Sequence, residues 1–130
     1  MWNIAVILLY DYKKRFLLQH RTDDAPASPG KYGFFGGSTK AGETPELGVK
    51  RECYEELEYE LENPRLFLST IVDDEYGRRK VYVFLEKYNP DKKLVLHEGQ
   101  GMKWVARSEM GNLDLVEYQI DILKNMYNKI

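Results

Sequence analysis

Residues Gly37 to Tyr59 read GSTKAGETPELGVKRECYEELEY and contain the clearest structural signals of this chain. Thr44 is a typical helix N-cap, and Pro45 suits the first helical position because its missing N–H would have no partner there. We therefore predict a helix from Pro45 to about Leu57. An apolar stripe on this helix would anchor it to a sheet. The stripe consists of Val49, Cys53 and Leu57, so we expect the only cysteine to lie in the core.

The same stretch is rich in glutamate. Between Glu43 and Glu62 there are eight glutamates and two basic residues. An acidic helix is usually a solvated surface. However, Glu52, Glu55 and Glu56 project within roughly 100° of one another, and no lysine or arginine follows them at three- or four-residue spacing. Like charges this close repel, and a bound divalent cation would turn that repulsion into ligation.

Gly48 lies one turn before the glutamate cluster, on the same side of the helix. A glycine inside a helix costs about 1 kcal/mol relative to alanine. Two interpretations are equally open for it. The glycine leaves room for a metal ion and phosphate, or it lets the helix approach the sheet closely.

Outside this helix the chain alternates short apolar segments with turns. We predict strands at residues 4–9, 15–20, 66–72 and 80–87, with a polar turn at 73–77, and shorter strands at 93–96 and 102–106. An apolar stripe predicts a helix at the C-terminal end, on Val116, Ile120, Leu123, Tyr127 and Ile130. The order of strands, helix, strands and helix predicts an α+β fold, an α/β/α sandwich around a central mixed sheet.

Composition limits the classes of function. The chain has 130 residues, which fits one domain over residues 1–130. A net charge of −2 argues against binding of a nucleic-acid polymer. The single cysteine is typical of a reducing compartment, and the apolar run at residues 4–9 is too short to cross a bilayer. We therefore expect a cytoplasmic protein without a membrane segment.

The spacing of six residues is similar to the signature box of the Nudix hydrolases. They are Gly37, Glu43, Arg51, Glu52, Glu55 and Glu56. One departure is Glu58, which stands where the box has a glycine. That glycine would take the left-handed conformation that ends a helix, so Glu58 there should cost roughly 1 kcal/mol or change how the helix ends.

The resemblance implies a Nudix fold with the predicted helix as the catalytic helix, and Mg²⁺ as cofactor, with Mn²⁺ as a substitute. It implies that Glu55 and Glu56 are metal ligands together with the carbonyl of Gly36. Glu52 would be a further ligand or the general base, and Glu98, in a glycine-bearing loop outside the box, would be the alternative base or a ligand.

Further roles follow for residues beside the ligands. The resemblance implies that Arg51 orients the carboxylates and that Glu43 braces Arg51. Arg21 and Lys31 are candidates for holding substrate phosphates, although ordinary surface charge is the commoner role for such residues. Phe34 and Tyr118 are candidates for stacking on a base, although aromatic residues in such positions are more often part of the core.

The reaction implied is hydrolysis of a phosphoanhydride bond in a nucleoside diphosphate-linked substrate. The short chain looks most like the MutT-like branch, which cleaves nucleoside triphosphates, oxidised ones included, to a monophosphate and pyrophosphate. A dinucleoside polyphosphate is an alternative, because Tyr76 stands near a tyrosine of that branch. Nucleotide sugars and an inactive nucleotide-binding module also stay open. The expected partner is a small nucleotide, and the chain is expected to be a monomer or homodimer.

Overall fold

The computed structural model describes residues 1–130, which form seven strands, two α-helices and one 3₁₀ helix. The strands are β1 (Trp2–Tyr10), β2 (Phe16–His20), β3 (Tyr32–Gly33), β4 (Phe35–Ser38), β5 (Arg65–Asp74), β6 (Gly77–Lys87) and β7 (Gly101–Val105). The helices are α1 (Pro45–Leu57), the 3₁₀ helix (Arg107–Asn112) and α2 (Gln119–Tyr127).

The seven strands form one mixed sheet with β1 at its centre. The order β3-β2-β1-β6-β5 is extended by β4, which pairs with β1, and by β7, which pairs with β2. The β1–β6 pair is parallel, whereas every other strand pair is antiparallel. This arrangement confirms the predicted mixed sheet.

The two faces of β1 lead into two separate cores, because successive side chains of a strand point to opposite faces. Ala5, Ile7 and Leu9 pack with the stripe of α1. Val6 and Leu8 face the other way and pack with apolar side chains of α2. The sheet therefore lies between the two helices, which confirms the α+β class.

The predicted bounds of α1 agree with the structure. Thr44 caps the helix, because its side-chain oxygen accepts a hydrogen bond from the N–H of Leu47 at 3.2 Å. Val49, Cys53 and Leu57 are fully buried, so the thiol is a core group. These contacts fix the rotation of α1 about its axis and thereby decide where the glutamates point.

Two predicted elements differ from the structure. Residues 93–96 do not form a strand, because the N–H of Val95 donates to the Leu57 carbonyl and that of His97 to the Glu56 carbonyl, at 2.9 and 2.8 Å. This segment caps the C-terminal end of α1 instead of joining the sheet. At the C-terminal end, α2 begins only at Gln119, since the N–H of Val116 donates to the carbonyl of Tyr32 at 2.9 Å.

The hairpin between β5 and β6 is tighter than predicted, because both strands extend into the polar segment 73–77. The 3₁₀ helix was not predicted from the sequence. None of the helices is both long and apolar enough to pass through a membrane.

Candidate active site

Arg51 is the centre of the charged face of α1. Its Nε donates to Glu43 Oε2 at 2.8 Å and its Nη2 donates to Glu43 Oε1 at 3.0 Å, a two-point contact. Its Nη1 also reaches Glu52 at 3.1 Å and Glu55 at 3.2 Å. The hydrogen bond to Arg51 lowers the pKa of Glu43 to about 2. The positive charge that partly offsets Glu52 and Glu55 is therefore that of Arg51. It precedes both glutamates in the chain, so it lies outside the three- or four-residue spacing after them.

Glu56 differs from its neighbours because it is buried and has no cationic partner. Its side chain is 3% exposed, and its Oε1 accepts a hydrogen bond from the N–H of Gly36 at 2.8 Å. Burial, followed by the nearby Glu98 carboxylate, raises the pKa of Glu56 to about 10. A buried carboxyl group without a counter-charge is unusual, since buried charges are paired or bind metals.

Glu98 lies beside Glu56 because its loop is tied to the sheet. The N–H of Gln100 donates to the carbonyl of His20, at the end of β2, at 2.8 Å. Gly99 has a φ of 93°, and a Cβ there would lie 2.7 Å from the same carbonyl oxygen. A glycine is therefore needed where the loop crosses the end of β2, and the exposed Glu98 side chain reaches back toward α1.

Two glycines of β4 bring its backbone close to this group. A Cβ on Gly36, which has a φ of 138°, would lie 2.2 Å from the carbonyl oxygen of Ala5. A Cβ on Gly37 would come within 2.9 Å of the Glu52 carboxyl group. Gly36 therefore requires glycine for the strand to lie directly against β1, whereas a side chain at Gly37 would displace the carboxyl group of Glu52.

The donor set fits a hard divalent cation, which prefers carboxylate oxygens. Burial is the main cause that raises the pKa of Glu52, and Glu98 adds to it, as it does for Glu56. In the present arrangement no three acidic, histidine or cysteine side chains surround one point closely enough to hold an ion. Ligation by Glu52 and Glu55 would require these side chains to turn away from Arg51.

Gly48 makes room for the loop after β4, and neither for the sheet nor for an ion. A Cβ at this position would lie 2.9 Å from Thr39 Cγ2 and 3.1 Å from Glu43 Oε1. The glycine therefore lets the loop after β4 pack on α1, and this brings Glu43 to Arg51.

Glu58 ends α1 in the left-handed conformation, with φ 50° and ψ 30°. Its N–H donates to the carbonyl of Tyr54 at 2.9 Å. The helix therefore ends as a glycine would end it, and Glu58 bears the expected cost of roughly 1 kcal/mol. Its carboxylate accepts a hydrogen bond from Nε2 of His97.

A cavity of about 300 Å³ opens beside Glu98 and the glycines of β4, and Glu52, Glu55 and Glu56 are not part of its lining. Its lining includes Glu98, Gly36 and Gly37 together with Arg21, Phe34 and Tyr118, so the structure brings these predicted residues together. Phe34 is largely buried, at 5% exposure. Lys31 is not part of the lining, and its Nζ lies 3.8 Å from a carboxylate oxygen of Asp114 on the surface.

The cavity wall also contains Tyr76, which the sequence linked to the dinucleoside polyphosphate alternative, and three residues that were not predicted. They are Trp2, Arg79 and Gln119. Gln119 Oε1 accepts a hydrogen bond from the N–H of Phe34 at 2.9 Å, and its Nε2 donates to the hydroxyl of Tyr118 at 3.0 Å.

Arg79 is buried, pairs with Asp74 at 2.7 Å and lies 5.1 Å from the ring centre of Tyr118. The sequence could have indicated that Arg79 is buried, because in β6 it lies on the same face as the core residues Val81, Val83 and Leu85.

Comparisons with known proteins place this arrangement in a family. A sequence model of the NUDIX domain matches residues 2–126. The comparison with curated proteins gave no match.

Solved structures share the fold at low sequence identity. The MutT protein from Methanosarcina mazei Go1 has a TM-score of 0.85 at 21% identity, covering 98% of this chain and 93% of that one. The mutator MutT protein from Bacillus halodurans has a TM-score of 0.77 at 22% identity, covering 98% and 82%. The NUDIX domain of Shewanella oneidensis NrtR, complexed with ADP ribose, has a TM-score of 0.83 at 14% identity, covering 99% and 88%. With the domain match over residues 2–126, the chain belongs to the Nudix family and is a hydrolase of nucleoside diphosphate-linked substrates.

Proposed function

We propose that this protein is a Mg²⁺-dependent pyrophosphohydrolase that converts a nucleoside triphosphate and water to a nucleoside monophosphate and pyrophosphate. One observation carries the proposal: a single cavity joins Glu98 and the glycines of β4 to the aromatic side chain of Tyr118. The side of the cavity that carries Glu98, next to the glutamates of α1, suits a metal-bound phosphate chain, and an aromatic face suits a planar base.

The acidic residues divide into ligands and a base. Glu52, Glu55 and Glu56, with the carbonyl of Gly36, would hold the ion. When bound, Mg²⁺ neutralises phosphate charge and lowers the pKa of a ligated water molecule. Arg51 pairs with Glu52 and Glu55, which would turn from it to bind the ion, and Glu43 holds Arg51.

We assign the general base to Glu98. A base must reach the attacking water and must be able to accept its proton. Glu98 lines the cavity and has no basic partner, whereas Glu52 accepts a hydrogen bond from Arg51 and does not line the cavity. The proton removed from water would pass to the carboxylate of Glu98 as the oxygen bonds to phosphorus and the anhydride bond breaks.

The remaining cavity residues bind substrate. We assign Arg21 to the phosphate chain, because it lines the cavity while its Nε donates to the carbonyl of Ala27 at 2.8 Å. Tyr118 offers its ring to the base, fixed by its contacts with Arg79 and Gln119. We leave Lys31 out of this role, since it lies outside the cavity lining.

A nucleotide sugar is the second candidate substrate. The observation that favours it is the complex of the similarly folded NrtR NUDIX domain with ADP ribose. Both candidates contain a nucleoside diphosphate, and they differ in the group attached to its terminal phosphate.

A substrate panel tests the proposal. Nucleoside triphosphates, including oxidised guanine nucleotides, nucleotide sugars and dinucleoside polyphosphates are each incubated with the protein and Mg²⁺, and products are separated by ion-exchange chromatography. We expect a triphosphate to be turned over fastest, with monophosphate and pyrophosphate in equal amounts. Faster turnover of a nucleotide sugar, giving monophosphate and sugar phosphate, would replace the substrate assignment. No turnover with Mg²⁺ or Mn²⁺ would contradict the proposal and favour a nucleotide-binding module.

A further inference from the structure

The residue after α1 and the residue before Glu98 are joined by a side-chain contact. Glu58 accepts a hydrogen bond from His97 Nε2, and the two side chains are about half exposed. Glu58 is also held in the strained left-handed conformation, which favours glycine. Glycine would be less strained at position 58, but it has no carboxylate to accept the hydrogen bond from His97.

The contact acts on a segment that is already tied to α1. The N–H of His97 donates to the carbonyl of Glu56, and the N–H of Val95 donates to that of Leu57. Beyond Glu98, Gln100 is held by the His20 carbonyl through its N–H, and its Nε2 donates to the carbonyl of Arg21 at 2.7 Å. Glu98 thus lies between an attachment to α1 and an attachment to β2.

We propose that Glu58 and His97 form a clamp that positions Glu98 beside Glu56 for hydrolysis. The clamp joins the end of the helix that carries Glu56 to the residue that precedes Glu98. Without it, the two backbone hydrogen bonds of Val95 and His97 would be left to hold the loop on α1. Neither clamp residue lines the cavity, so both act through Glu98 as positioning residues.

This inference rests on the proposed function for its kinetic test, but its structural part can be measured without substrate. The variants are Glu58→Gly, which relieves the strain and removes the carboxylate, and His97→Ala. Glu58→Gln is the conservative variant, because its amide oxygen can still accept from His97. Glu60→Gln is the matched control, since Glu60 is an exposed glutamate nearby without a side-chain contact.

We expect Glu58→Gly and His97→Ala to lower kcat about tenfold with KM changed less than twofold, and the double variant to be no worse than either single one. Glu58→Gln should keep at least a third of wild-type kcat. The unfolding temperature of Glu58→Gly should equal or exceed that of the wild type, which separates positioning from stability. Glu60→Gln should match the wild type.

Amide hydrogen exchange supplies the readout that needs neither substrate nor metal. In Glu58→Gly and His97→Ala, the amides of Val95 and His97 should exchange at least fivefold faster, while the amide of Leu47 at the other end of α1 is unchanged. Unchanged exchange at Val95 and His97 in both variants would overturn the clamp. So would normal kcat in both, in a protein that hydrolyses nucleotides. Failure of the wild type to hydrolyse any nucleotide would contradict the proposed function instead, and the exchange result would still decide the clamp.

Discussion

At the scale of single residues, the site depends on which of the box glutamates pair with Arg51. Arg51 contacts Glu43, Glu52 and Glu55, whereas Glu56 is left buried with only a backbone donor. The sequence spacing could predict which residues belong to this group, because they share one turn-and-helix segment. It could not predict which carboxylate Arg51 leaves free, since that depends on how the loop after β4 packs on α1.

The assignment of the base is tested by comparing Glu98→Gln with Glu52→Gln. We expect Glu98→Gln to lower kcat by about 10²- to 10³-fold, because it removes proton transfer in the reaction step. Glu52→Gln should lower kcat less and raise the Mg²⁺ concentration needed for half-maximal rate. Initial rates at saturating substrate, measured across Mg²⁺ concentrations, give both quantities. A larger loss of kcat in Glu52→Gln than in Glu98→Gln would assign the base to Glu52.

At the scale of elements, α1 could be predicted from the sequence and the segment at 93–97 could not. The start of α1 is set locally, by the cap at Thr44 and by Pro45. Residues 93–96 contain a short apolar run that is typical of a strand, but the N–H groups of Val95 and His97 bind the carbonyls of Leu57 and Glu56, about forty residues earlier in the chain. No local pattern indicates that a helix end is the partner. Glu98 could nevertheless be found, because the glycines around it mark a loop.

The cap of α1 gives a prediction about stability. Thr44→Ala removes the acceptor for the N–H of Leu47 and should lower the free energy of unfolding by about 1 kcal/mol. Thr44→Ser keeps the acceptor and should stay within about 0.5 kcal/mol of the wild type. Urea denaturation followed by circular dichroism measures both. Equal stability of the two variants would show that the cap contributes nothing to the fold.

At the scale of the whole molecule, the sheet brings together residues that are far apart in the chain. Trp2, Arg79 and Tyr118 come from the two ends and the middle of the sequence and line one cavity. The layers could be predicted, because each depends on an apolar pattern within one element. The cavity wall could not, since its residues meet only when β1, β6 and the start of α2 are in place. We propose that residues 1–130 act as one domain and should unfold in a single transition.

A divalent-cation site formed by the carboxylates around Glu56 is tested most directly by the unfolding temperature, measured with and without Mg²⁺ as the pH rises. The folded-state pKa of Glu56 is raised to about 10 by burial, from an ordinary value near 4.5. The folded protein therefore binds this proton more tightly than the unfolded chain does. That contribution to stability is complete below pH 4.5 and declines as the pH rises toward 10. A bound cation instead favours the ionised carboxylate, so its stabilising effect should grow over the same range.

We predict that the metal-free wild type loses several degrees of unfolding temperature between pH 6 and pH 8, and that 10 mM Mg²⁺ restores most of the loss at pH 8. This range stays below the usual pKa of a free cysteine thiol, about 8.5, which limits ionisation of Cys53 in the unfolded chain. Glu56→Gln should show a much flatter pH dependence and little response to Mg²⁺. An equal response of the wild type and Glu56→Gln to Mg²⁺ at pH 8 would contradict a cation site at Glu56.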